Sequence, residues 1–300
     1  MKIGYPCINW SIGCKGNRTF RLKSYSKERL IETVENNLNC LEEILDFNIK
    51  NNILFFRLPS DLIPFASHSI CSFNWQSYFK LKFEKIGETI LNNDIRISMH
   101  PDQFIVLNSK DNKVVERSIA ELEYHTQILD LMRLKHNAKI QLHIGGGYGD
   151  KKTSLDRFVD VYNNLHDNIK SRLVIENDDK IYMLNYCLYL SEKIHIPILF
   201  DYFHHIVYND DENIDYCLKS ILETWDKKDG IPMIDYSSQK IGKKTGSHAE
   251  SLDIRDFKNF IELSKPYDFD IMLEIKDKEK SAIKAVKIVE IDIRFKNNQI

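Results

Sequence analysis

Eight side chains of the kind that hold divalent cations follow one another along this 300-residue chain, most of them closing short apolar runs. In order they are His100 (RISMHPDQF), His143 (KIQLHIGGG), Glu176 (RLVIENDD), Asp201 with His204 (PILFDYFHH), Asp235 (PMIDYSSQ), His248 (TGSHAES) and Glu274 (DIMLEIKD). Imidazoles and carboxylates without thiolates suit Mn²⁺, Zn²⁺ or Fe²⁺. Four carboxylates brought together repel one another strongly unless cations neutralise them. Two or three divalent ions would do so, with Glu176 the most plausible bridge between two of them. A pair of ions roughly 3.5–4 Å apart can activate a water and stabilise the leaving oxygen of an in-line phosphoryl displacement. A single histidine at a strand end is more often structural; the repetition is what points to a shared centre. His68, His125, His136, His166 and His195 fall in helices or loops and are not expected as ligands. His205 points elsewhere if His204 ligates.

The elements that must position these groups are legible as alternation. Strands are expected over 2–9, 53–58, 95–100, 139–144, 172–176, 197–201, 231–236 and 270–275. Helical periodicity fills 26–48, 75–93, 114–136, 154–170, 181–195, 212–227, 254–264 and 279–291. In the third helix Ile119, Leu122, Ile128, Leu129 and Met132 fall mostly on one face. Eight apolar strands alternating with eight helices argue an α/β fold, a (β/α)8 TIM barrel with its site at the carboxyl ends of the strands. No composition break divides the chain, so 1–300 is read as one domain. Gly145-Gly146-Gly147 lets the backbone approach a ligand closely but lacks the Lys-Ser/Thr of a phosphate loop.

Composition narrows the setting. A net charge of −2 gives no global pull toward nucleic acid, so such binding must come from local patches. Three basic clusters follow strands one, seven and eight: Lys15, Arg18, Arg21 and Lys23; Lys240, Lys243 and Lys244; Lys276, Lys278 and Lys280. All lie on the rim that carries the ligands, a placement suited to a phosphate backbone. No apolar run approaches the roughly 20 residues of a membrane span. The start leaves no room for a signal peptide, so a cytoplasmic protein is expected. Its six cysteines read as reduced thiols, with a Cys7–Cys14 bridge only conceivable.

GYPCINWSI, SMHPDQFIVLNS, LHIGGGYGDK, VIEND, FDYFHH, DYSSQ and LEIKDKE together resemble the UV damage endonuclease family over essentially the whole chain. The resemblance implies a TIM barrel with a cluster of divalent metals, commonly manganese, that cuts DNA immediately 5′ to a photolesion. It implies His100, His143, Glu176, Asp201, His204, His248 and Glu274 as metal ligands. It also implies Gln103 and Phe104 as the pair that probes the duplex, and Tyr5 and Asn9 as residues lining the lesion pocket. A planar amide and an aromatic wedge can fill the gap left when a damaged dinucleotide leaves the stack. One departure stands on strand seven, where many members resemble each other in carrying Lys and His two residues apart. This chain has Met233 and Asp235 there.

The expectation is therefore a metal-dependent endodeoxyribonuclease acting on damaged duplex DNA as a monomer, with Glu176, Glu274 and Asp201 central to catalysis. The nearest rival is an abasic-site endonuclease on the same barrel. A rival of another class is a metal-dependent sugar isomerase, which has no use for three basic loops.

Overall fold

A computed structural model of the chain describes residues 1–102 and 104–295. Its strands are β1 (Ile3–Pro6), β2 (Phe55–Leu58), β3 (Arg96–Met99), β4 (Lys139–His143), β5 (Leu173–Glu176), β6 (Ile198–Asp201), β7 (Met233–Tyr236) and β8 (Asp270–Leu273). All neighbours pair in parallel, in sequence order. β8 returns to β1 through Ile3–Ile271 and Gly4–Met272, closing the barrel. Gly4 is required at this seam, because a Cβ there would lie 2.3 Å from the Phe55 carbonyl oxygen.

The outer ring comprises α1 (Lys27–Lys50), α2 (Trp75–Asn92), α3 (Asn112–Leu131), α4 (Lys151–Asn163), α5 (Asp167–Lys170), α6 (Leu184–Ile194), α7 (Tyr202–Val207), α8 (Ile214–Leu222), α9 (Ile254–Leu263) and α10 (Glu279–Val289). Helix α1 shows why they form. The Ser26 side chain accepts from the Arg29 amide at the first turn, and Leu30, Val34, Leu38, Leu41 and Leu45 recur on the buried face. The helix expected over 154–170 is instead divided, ending at Asn163 and resuming at Asp167. Leu155, Phe158, Tyr162, Leu165 and Ile169 all still reach the core across the break, so the apolar spacing does not reveal it.

Most of the core lies between the strands and the helix ring. A smaller cluster of Phe55, Val174, Leu199, Met233 and Met272 fills the barrel axis, with Trp225 packed against it. Charged groups flank this apolar floor. Arg96 contacts Asp270 at 3.2 Å and Lys139 contacts Asp229 at 2.5 Å, both pairs buried near the strands' amino ends. The metal-type ligands lie at the carboxyl ends. Met233, at one of the two departing positions, belongs to the apolar floor.

The thiol expectation needs correction. Cys14 and Cys40 form a disulfide, with Cα atoms 5.8 Å apart. The β1–α1 loop folds back across α1 and brings them within bridging range. Cys7, Cys71, Cys187 and Cys217 are free. No helix among the described residues is long and apolar enough to cross a membrane.

Candidate metal centre

Period-2 alternation in β2 to β8 sends every second side chain toward the barrel axis, and the last inward position of each strand meets the others at the mouth. Two groups form there. His100, His143 and Glu176 bring one donor atom each within 4.8 Å of one another, and so do Asp201, Asp235 and Glu274. His143 Nε2 lies 3.0 Å from Glu176 Oε1, and His100 Nε2 lies 3.6 Å from the same oxygen. The His143 ring centroid is 5.9 Å from that of His204, which is 6.3 Å from that of His248. All eight ligand candidates thus belong to one mouth.

Their surroundings fix ring orientation. His100 Nδ1 lies 2.8 Å from the Pro101 carbonyl oxygen, His204 Nδ1 3.0 Å from that of Asn177, and His248 Nδ1 2.9 Å from that of Glu274. Each Nδ1 therefore donates to a backbone acceptor and leaves Nε2 as the ring atom available to a metal, the arrangement of metal-ligating histidines. Asp201 begins α7 and accepts from the His204 amide at 2.7 Å, which sets that helix turn and its own carboxylate together. Asn177 exchanges hydrogen bonds with the Asp201 backbone, accepting at 3.0 Å and donating at 2.9 Å, and so ties β5 to β6.

The electrostatics are those of an anionic cluster buried at its base. Burial disfavours the Glu176 carboxylate, but His143 and His100 outweigh it and hold the group well below the usual range. Burial likewise opposes charge on His143 and His204. Glu176 nevertheless raises His143 to about 9, and Asp201 raises His204 to about 9. Asp201 is pushed up to about 7 by burial, with neighbouring carboxylates adding to the effect. Asp235 is pushed up to about 8 by burial against the opposing pull of Arg57. Glu274 is buried too, yet Arg57 brings it down to about 2. Strong perturbation of several groups in one cleft is the mark of a functional site.

Two residues not singled out in the sequence complete the cluster. Arg57, buried on β2, donates from Nη2 to both oxygens of Asp235 at 2.7 Å and from Nη1 to Glu274. Gln141, fully buried on β4, donates from Nε2 to Glu176 and, at 2.8 Å, to Asp235. The available signal is a polar side chain inside an apolar run, FFRLP and KIQLH, the same signal that marks the ligands.

Above the cluster opens a basin of about 620 Å³ whose lining includes Cys7, Arg57, His100, Phe104, His143, His248, Glu274, Lys276 and Lys278. Phe104 is 75% exposed on its rim, where a core residue would be covered. Gln103 lies outside the described residues. Lys240 and Lys276 both contact Glu250, while Lys243 and Lys244 are exposed and make no ion pair among the described residues.

Tyr5 and Asn9 are placed differently from the expectation. Tyr5 is wholly buried, its ring edge-on to Phe56 and its hydroxyl donating to Asn48 of α1 at 2.7 Å. Asn9 is 2% exposed and donates to that hydroxyl at 2.8 Å. On β1 the position facing the helices is Tyr5, so it braces the wall, and Pro6 and Cys7 reach the basin instead. The glycine run also serves a protein contact: the Asn108 side chain accepts from the Gly146 amide at 3.1 Å, and a Cβ on Gly145 would come within 2.4 Å of Asn108 Oδ1.

Comparison with known proteins agrees with this geometry. The family model described as UV-endonuclease UvdE matches residues 1–296. The UV DNA damage endonuclease of Clostridium perfringens is 45% identical over 291 residues, covering 95% of this chain and 70% of that one. The crystal structure of SacUVDE superimposes with a TM-score of 0.93 at 44% identity, covering 97% of this chain and 98% of the other. Endonuclease IV from Thermus thermophilus, at 14% identity and a TM-score of 0.59 over 84% of this chain and 93% of that one, shares the fold alone.

Proposed function

The chain belongs to the UV-endonuclease UvdE family, a family of nucleases acting on damaged DNA, and on that footing we propose that it incises duplex DNA immediately 5′ to UV photolesions with the help of bound divalent ions. The observation that carries the metal reading is the presentation of His100, His204 and His248, each with Nδ1 spent on a backbone carbonyl and Nε2 left to ligate beside Glu176, Asp201 and Glu274. The donor set is nitrogen and hard oxygen, which suits Mn²⁺. Divalent ions held by these residues would activate a water as nucleophile and would neutralise charge on the phosphoryl oxygens and the leaving 3′-oxygen.

The chain's own residues do the rest. Glu176, aligned by Gln141 and the two imidazoles, is the anion around which the ligands converge. Lys276 and Lys278 line the basin where a phosphate would enter, so the cationic wall faces the anionic strand. Phe104 projects from the rim as the wedge that occupies space vacated by an extruded base. Damaged bases cost less to unstack, which gives selectivity across unlike lesions. The products are a 3′-hydroxyl and a 5′-phosphate. We further propose that residues 1–300 act as one cytoplasmic catalytic domain and as a monomer.

The test is direct. Protein loaded with Mn²⁺ is incubated with an end-labelled duplex carrying one photodimer, and the cut is mapped. A nick at the bond 5′ to the dimer is expected, with none in the undamaged duplex. Preferential nicking of an abasic duplex would instead favour an abasic-site endonuclease.

A further inference from the structure

Asp235 looks like a ligand because it follows an apolar run in the sequence and shares the mouth with Asp201 and Glu274 in the structure. Its oxygens are already committed. Both accept from Arg57 Nη2 at 2.7 Å, and Oδ2 also accepts from Gln141 Nε2 at 2.8 Å. The same guanidinium reaches Glu274 Oε1, while Oε2 lies 3.9 Å from His248 Nδ1 and is not bound by Arg57. Arg57 is 3% exposed and reaches from β2, past β1, to bind residues of β7 and β8. A guanidinium stays charged and grips a carboxylate with directed N–H donors, so it can fill a gap between anions that would otherwise attract a metal ion.

We propose that Arg57 takes the place of one divalent cation, so that the centre holds two ions and Asp235 ligates neither. One ion belongs to His100, His143 and Glu176; the other belongs to Asp201, His204, His248 and the free oxygen of Glu274. Charge supports the count. Glu176, Asp201, Asp235 and Glu274 carry four negative charges when ionised, and Arg57 returns one. Two divalent ions then leave the cluster nearly neutral, whereas a third would leave a large positive excess in a buried site, which is costly. Met233 fits the same arrangement: it adds no ligand and fills the apolar floor beneath Asp235.

This inference rests on the metal-centre reading but is tested without nicking. Purified protein is dialysed to equilibrium against Mn²⁺, and bound manganese per chain is measured by elemental analysis. Wild type is expected to hold two ions. Asp235→Asn, which keeps the shape and an acceptor for Arg57, is expected to hold two as well. Arg57→Gln frees oxygens of Asp235 and Glu274 and is expected to take up a third ion, and the double variant returns to two. Loss of an ion in Asp235→Asn, a third ion in wild type, or an unchanged count in folded Arg57→Gln overturns the proposal. If Arg57→Gln does not fold, wild type and Asp235→Asn decide it. Failure of wild type to bind any manganese would overturn the metal-centre reading as well, whereas a wrong count in a protein that does bind manganese would overturn this inference alone.

Discussion

His143 Nε2 lies 3.0 Å from Glu176 Oε1, and each group holds the other in its charged form against the cost of burial. The pair joins the ends of β4 and β5, strands already in register at these two residues. Glu176→Gln keeps the size of the side chain and removes the charge on which the ligands converge. Nicking is expected to fall by at least about 10²-fold, the scale of losing a principal electrostatic contributor. Bound manganese and incision rate measured on the same preparation check this. Full activity with full metal content would remove Glu176 from the centre.

Phe104 is the largest exposed ring at the basin's edge, and it also borders a neighbouring groove containing Ile105, Val106 and Val114. Phe104→Ala is expected to weaken binding to a photodimer duplex by about 1–3 kcal/mol, by analogy with base–aromatic stacking, while leaving metal content intact. Fluorescence anisotropy on damaged and undamaged duplexes measures it. Equal affinity in the two proteins would deny the wedge.

The three lysines after β7 are not equivalent. Lys240 is engaged by Glu250, whereas Lys243 and Lys244 are exposed. Replacing Lys243 and Lys244 by Gln should reduce the slope of log affinity against log salt by about 0.9 for each phosphate that is no longer neutralised. Lys240→Gln should change it less. Salt titrations of DNA binding for the separate variants decide whether these lysines hold phosphates or are solvated charges.

His125, wholly buried on α3, is lowered to about 4 by burial, against the carbonyl of Glu121 that accepts from its Nδ1. Its folded value lies below its unfolded value of about 6.5, so between the two the unfolded chain binds more protons. Its contribution is therefore intact above that window and is lost as pH falls through it. The stability difference between wild type and His125→Gln should shrink by up to about 3 kcal/mol from pH 7 to pH 4. Urea unfolding of both metal-stripped proteins across that range tests it; a constant difference would show that His125 is not held neutral.

The barrel is legible in the sequence because six of the eight ligand candidates follow an apolar run, and a polar residue at that place is visible without tertiary information. Arg57 and Gln141 carry the same kind of signal, but each lies inside a run and its apolar neighbours mask it. Tyr5 escapes such reading because β1 is buried on both faces, so its sequence does not reveal which alternate residues face the axis. Helix α7, at six residues, is too short for periodicity to show, although it sets His204. Cys14 and Cys40 are separated by 26 residues and meet only through the path of the loop over α1.

The five apolar side chains beneath the centre, Phe55, Val174, Leu199, Met233 and Met272, act as an electrical insulator. They part the carboxylates of the mouth from the buried Arg96 and Lys139 below, whose charges already have partners. With a poorly polarisable layer underneath and water above, the field of the mouth spreads outward through its opening. That field is negative at the base of the mouth and attracts small cations from solvent, while Lys276 and Lys278 stand in the basin above it. The floor thereby leaves the cluster one open side, the solvent-filled basin, from which mobile counter-charge can reach it.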